Sequence, residues 1–131
     1  MATERKIPSA HIPIEVAYWR SRGVRMLSQA QRGILMDAIV FTWDAPFAGY
    51  FCVEVREKVV WMDVDHAMTV LECSDADWRV ICNAGHFYYD DDKGWNIPEI
   101  VPLAEKAQRI RADRSRAGRA GAVARWNLEA E

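Results

Sequence analysis

Six arginines, Arg109, Arg111, Arg114, Arg116, Arg119 and Arg125, crowd the last quarter of this chain, and Trp126 follows them. Guanidinium groups pair with phosphate oxygens through two parallel hydrogen bonds, and an indole ring stacks on a nucleobase. Residues Lys106 to Trp126 carry a net charge of +6, whereas Met1 to Glu105 carry −6. The near-neutral total of −2 therefore hides an acidic body joined to a basic tail. Such opposed halves point to nucleic acid, or an acidic partner, at the tail. The plainer alternative is a solvated charged helix, or one that lies back on the acidic body.

A second set of residues bears on base recognition. Arg79 and Asn83 are four apart, so a helix puts them on one face, where they are chemically able to read guanine and adenine edges. Asp75 shares that face and Asp77 is close by. Asp90, Asp91 and Asp92 form an acidic run that repels phosphate. Phosphate neutralisation supplies most non-specific affinity for DNA, so the body is expected to bind duplex poorly without its tail. The same five acids, Asp75, Asp77, Asp90, Asp91 and Asp92, suit docking on a basic protein.

Other constellations carry less. Cys82 and His86 are four apart and Cys73 is near in sequence, but zinc wants four ligands at regular spacing and the usual cysteine pair is missing. Buried thiols and a turn histidine are the expected reading, with no metal ligands. The aspartate run reads as a solvated hairpin tip rather than a cation site. Gly118 and Gly121 lack the strand-to-helix context of a phosphate loop. His66, behind Asp65, has no nucleophile at a readable spacing. No catalytic residue and no cofactor is expected, and the chain reads as a non-enzyme.

These groups need a scaffold. A length of 131 residues, half of them apolar and six of them Trp, suits one domain with a real core. The tryptophans, led by Trp19, Trp43 and Trp78, are expected in that core. Three cysteines at irregular spacing favour reduced thiols. The opening MATERKIPSAHIP has no apolar stretch of signal-peptide type, and no run is long enough to span a bilayer. The expected location is the cytoplasm, away from membrane.

Residues Ile12 to Trp19 form a short apolar segment with Pro13 suited to a helix start, and Gly23 is expected to break it. Ser28 to Trp43 is the best helix. Ser28 and Gln31 have capping-box spacing, Leu27, Ile34, Leu35, Ala38, Ile39 and Thr42 make one stripe, and Asp44-Ala45-Pro46 ends it. Gly49 to Met62 reads as extended chain, either a hairpin or one strand plus loop. Asp63 to Cys73 and Ser74 to Ala84 read as helices with acidic or serine starts. Residues His86 to Pro98 read as a hairpin around Asp90 to Gly94. Pro102 opens a last helix whose apolar face, Leu103, Ala107 and Ile110, fades past Asp113. Gly118 and Gly121 predict fraying beyond that point.

The order helix, strand, helix, helix, hairpin predicts an α+β winged helix over residues 10–100. Its third helix, Ser74 to Ala84, takes the recognition position and Asp90 to Gly94 the wing tip; a C-terminal helix and arginine-rich tail occupy 101–131. Four features of the chain belong together: Leu27-Ser28 with Gln31-Arg32-Gly33 and Trp43; Asp63-Val64-Asp65; Trp78 leading to Phe87 and the aspartates; and, most specific, Arg114-Ser115-Arg116-Ala117-Gly118-Arg119-Ala120-Gly121 with Ala124-Arg125-Trp126. On these the chain resembles the YdaU-like domain of phage and prophage proteins, a domain of unknown function often found at the N-terminus of phage replication proteins. The Tyr50 to Trp61 stretch is longer than the family's short loop. Longer members continue past the final signature, and activity held there is not carried over. The resemblance implies a phage-encoded protein acting in host cytoplasm on DNA replication or its regulation. Nucleic acid bound through the tail is the first expectation. The alternative is an interaction module whose acidic body docks on a host or phage protein, as a replication adaptor or an inhibitor of host machinery.

Overall fold

The computed structural model describes residues 11–130, with side chains described for 11–124. Among the described residues the chain is α+β, with six helices and two antiparallel hairpins. Helices α1 (Val16–Trp19) and α2 (Arg22–Arg25) are single turns. Gly23 lies inside α2 rather than breaking the segment. The break falls at Ser21, the N-cap of α2, and Pro13 lies ahead of α1 rather than starting it.

Helix α3 (Gln29–Trp43) starts where the capping pair predicted. The Gln31 backbone N–H donates to Ser28 Oγ at 3.1 Å, and Gln31 Oε1 accepts from the Ser28 N–H at 2.9 Å. Two donors that a helix start leaves orphaned are thus satisfied reciprocally. Leu35, Ala38, Ile39, Thr42 and Trp43 are buried along one stripe, with Ile34 half-buried at its edge.

The extended stretch resolves as a hairpin of β1 (Cys52–Val55) and β2 (Lys58–Trp61), with Val53 opposite Val60 and Val55 opposite Lys58. Its two turn residues, Arg56 and Glu57, both have positive φ, 52° and 66°. A two-residue connection with that twist matches the twist of the strands. The hairpin projects: residues 54–61 are all exposed.

Helix α4 (Val64–Leu71) is capped by Asp63, whose Oδ1 accepts from the His66 N–H at 2.8 Å. Glu72, left-handed at φ 52°, closes it and turns the chain sharply. Ser74 then caps α5 (Asp75–Asn83) by accepting from the Asp77 N–H at 3.1 Å. The second hairpin pairs β3 (Tyr88–Asp90) with β4 (Gly94–Asn96). Residues just before β1 run beside β4. Phe51 donates to Trp95 O and Ile97 donates to Gly49 O, both at 3.0 Å, with Tyr50 bridged to Asn96.

One core joins these pieces. Leu35, Ile39 and Trp43 from α3 meet Phe51, Trp78, Ile81, Phe87 and Ile97, all buried. Each fully buried large side chain of this kind stabilises the fold by roughly 1.5–3 kcal/mol. Trp61 departs from the expectation that the tryptophans are core. It sits on the projecting hairpin and is 40% exposed.

The last helix, α6 (Val101–Ala130), runs unbroken past Asp113, where fraying was expected. Its first turns pack on the body through Val101, Leu103, buried Ala104 and Ala107. Gly49 makes the approach possible. A Cβ there would lie 2.7 Å from Val101 Cγ2, and its φ of +82° also favours glycine.

Candidate nucleic-acid interface

Three ties fix the base of α6 to the loop after α3. Val101 packs against Ala45, Tyr50 and Cys52. Gln108 Nε2 donates to Ala45 O at 3.0 Å. Arg111 Nη1 pairs with Asp44 Oδ1 at 2.9 Å, and both side chains are about two-thirds buried. Arg111 thus serves as an anchor to the body rather than standing clear in solvent.

Beyond Arg111 every side chain from 112 to 124 is exposed. At 100° per residue, Arg109, Arg114, Arg116 and Arg119 spread around the helix rather than along one face. Arg116 pairs with Asp113, and Arg119 donates to Ser115 Oγ at 3.3 Å. These contacts lie within the helix, so they leave the guanidinium charges at the surface. The side chains of Arg125 and Trp126, also expected to bind nucleic acid, lie outside the described residues.

On α5, Arg79 and Asn83 are both accessible to solvent, as base readers must be. Arg79 Nη2 pairs with Asp75 Oδ2 at 3.0 Å, and both side chains are more than half exposed. A solvated pair four apart contributes only about 0.3–0.5 kcal/mol, so a phosphate or base edge can draw Arg79 away at small cost. Asp77 is engaged with α3, accepting from Gln31 Nε2 at 3.1 Å. The aspartate run is not uniform. Asp90 Oδ1 accepts from the Asp92 and Lys93 N–H groups, at 2.8 and 3.2 Å, and so closes the turn. Asp91 and Asp92 are exposed to solvent.

His86 is buried and fully engaged. Its Nδ1 lies 2.7 Å from Tyr18 Oη and its Nε2 2.9 Å from Gly23 O. The carbonyl needs a donor, so Nε2 carries the proton and Nδ1 accepts from the phenol. Burial, reinforced by the Glu99 carboxylate, pushes the Tyr18 phenol up to about 12, which keeps it a donor. This clasp ties α1 and α2 to the end of α5. Burial also raises the Cys82 thiol to about 11 and the Cys73 thiol above its usual value, so both stay protonated. No group of three His, Cys, Asp or Glu able to hold a metal occurs among the described residues.

Sequence reasoning missed an aromatic patch beside α6. Phe47 and Trp61 are 44% and 40% exposed, with ring centroids 5.0 Å apart and planes tilted by 33°. Tyr50 meets Trp61 edge-on at 6.0 Å, and Lys93 Nζ lies 5.9 Å from the Tyr50 ring centre. The sequence signal was weak: Phe47 follows Pro46 in a loop, outside any apolar stripe. No described helix is long and apolar enough to cross a membrane. Compared with known proteins, the chain matches no family model, no curated protein and no solved structure.

Proposed function

We propose that this protein is a non-enzymatic winged-helix module that binds nucleic acid through α6, in phage DNA replication or its regulation. One observation carries the reading: α6 leaves the body after Arg111 with Arg114, Arg116 and Arg119 exposed around it. No side chain from 112 to 124 is buried against the body, and a polyanion is the partner that the charge of this segment suits best. The winged-helix assignment is supported by the connectivity. Helix α3, the 49–51 segment beside β4, helices α4 and α5, and the β3–β4 hairpin follow the order of that fold. In it α5 takes the recognition position and Asp90 to Gly94 the wing tip. The resemblance to YdaU-like domains supplies the phage context and the host cytoplasm.

The test is a salt series of equilibrium binding to duplex and single-stranded DNA. Replacing Arg109, Arg114, Arg116 and Arg119 by Gln leaves the Arg111 anchor intact. Binding should weaken strongly, and the slope of log K against log salt should flatten by about 0.9 for each duplex phosphate no longer neutralised. Unchanged affinity and slope would sink the reading.

A second reading is a protein-interaction module. The observation that favours it is the β1–β2 hairpin, which holds Val55, Val59 and Val60 in solvent. Exposed apolar patches of this kind mark protein contacts. The acids Asp75, Asp91 and Asp92 would then meet a basic host or phage protein.

A further inference from the structure

We infer that Phe47 and Trp61 form a stacking platform for an unpaired base, and that the strand carrying this base runs with its phosphates onto Arg116 and Arg119. This rests on the nucleic-acid reading of α6 and narrows it to single strands. The platform and the arginines share one foundation. Phe47 belongs to the loop whose Asp44, Ala45 and Gly49 meet Arg111, Gln108 and Val101. Glu105, Gln108, Ala112, Arg116 and Arg119 follow one another at three and four residues, so they form one row along α6. The Gln108 bond to Ala45 O sets that row against the loop, and its far end carries the Arg116 and Arg119 guanidiniums about 12 and 16 Å further on.

Charge decides which part of a strand goes where. The carboxylates of Asp90 and Glu105 act on Tyr50, raising its phenol pKa after burial has done so. Lys93, over the Tyr50 ring, offsets only one of these two carboxylates, so a neutral base suits the aromatic end better than phosphate does. At the other end Arg116 and Arg119 are exposed and take the phosphates. Base pairs in a duplex already stack on each other, so the rings can serve only bases that have lost their partners.

The experiment measures binding of the full chain to a short oligothymidine and to a duplex of equal length. Trp61→Ala should weaken single-strand binding about 5- to 150-fold. Duplex binding should stay within about twofold, and the single-strand salt slope should not move, because every phosphate keeps its guanidinium. Trp61→Phe should restore most of the affinity. Phe47→Ala, in a loop outside the hairpin, should repeat the effect if Trp61→Ala disturbs folding. Full single-strand affinity in both alanine variants, with weakened binding in the arginine variant, overturns the platform and leaves the α6 reading standing. No nucleic-acid binding by the unaltered chain overturns both. Unchanged oligothymidine binding together with loss of self-association in a sedimentation run assigns the rings to a protein contact, and also overturns the proposal.

Discussion

Trp78 is enclosed by three rings: Phe51, Phe87 and Trp95 lie 5.8, 4.7 and 5.2 Å from it, centre to centre. Trp78→Ala should cost about 3–5 kcal/mol, a large share of the stability of a small domain, and urea unfolding would read it directly. A change of less than about 1 kcal/mol would mean the ring is not packed. The phenol of Tyr18 makes a pH prediction. Its pKa in the fold is raised from 10.0 to about 12. Below pH 10 both folded and unfolded chains hold the proton, and the contribution is complete. As pH climbs from about 10 to 12 the unfolded chain releases the proton first, so stability falls. Tyr18→Phe should remove this part of the alkaline loss. At neutral pH it should cost about 0.5–1.5 kcal/mol for the bond to His86. The core place of Trp43 and Trp78 was legible because Trp43 ends the helix with the best apolar stripe and Trp78 falls inside the Ser74 to Ala84 helix. That of His86 was not, since its partners Tyr18 and Gly23 are 68 and 63 residues away.

Caps were the most legible elements. Ser28 with Gln31 and Ser74 with Asp77 bond locally, and a cap needs only its own first turn; Asp63, read as an acid at a helix start, proves to cap α4 through His66. The first hairpin stayed open because its turn lacks Asn or Gly. Arg56 and Glu57 adopt left-handed backbone that disfavours their side chains by roughly 1–2 kcal/mol each. Replacing them by Asn and Gly should raise the thermal midpoint by several degrees, checked by calorimetry. In α6, a Cβ at Gly118 or Gly121 meets nothing within 4 Å. Alanine at each should add about 1 kcal/mol of helix stability, visible in circular dichroism. At the second hairpin, Asp91→Asn with Asp92→Asn spares the Asp90 cap. DNA affinity should rise at low salt and less at high salt if this tip approaches phosphate. No change places it away from DNA.

Across the whole molecule the two ends of α6 differ in what holds them. Val101 to Arg111 are fixed by apolar packing and the Asp44 pair, whereas the side chains of 112–124 all stand exposed. Amide hydrogen exchange should therefore be slow through Ala104 and Ala107 and fast from Arg114 to Ala124, then slow there too when a polyanion binds. Protection of Arg114 to Ala124 in the isolated monomer would mean the tail lies on the acidic body, and the charge asymmetry would be internal. The charge split was legible from composition, but the point where the helix parts from the body was not. It depends on Asp44 meeting Arg111 across 67 residues.

That meeting point sets a mechanical ratio. From Arg111 to Ala130 the helix extends about 28 Å as an arm with its fulcrum at Asp44. A swing of about 10° at the fulcrum sweeps the tip through about 5 Å, by the same rise per residue. Asp44→Ala slackens the joint without removing a charge from the arm. It should widen the spread of distances between a dye near Ala130 and one on α4, and so trade the precision of the arm for reach.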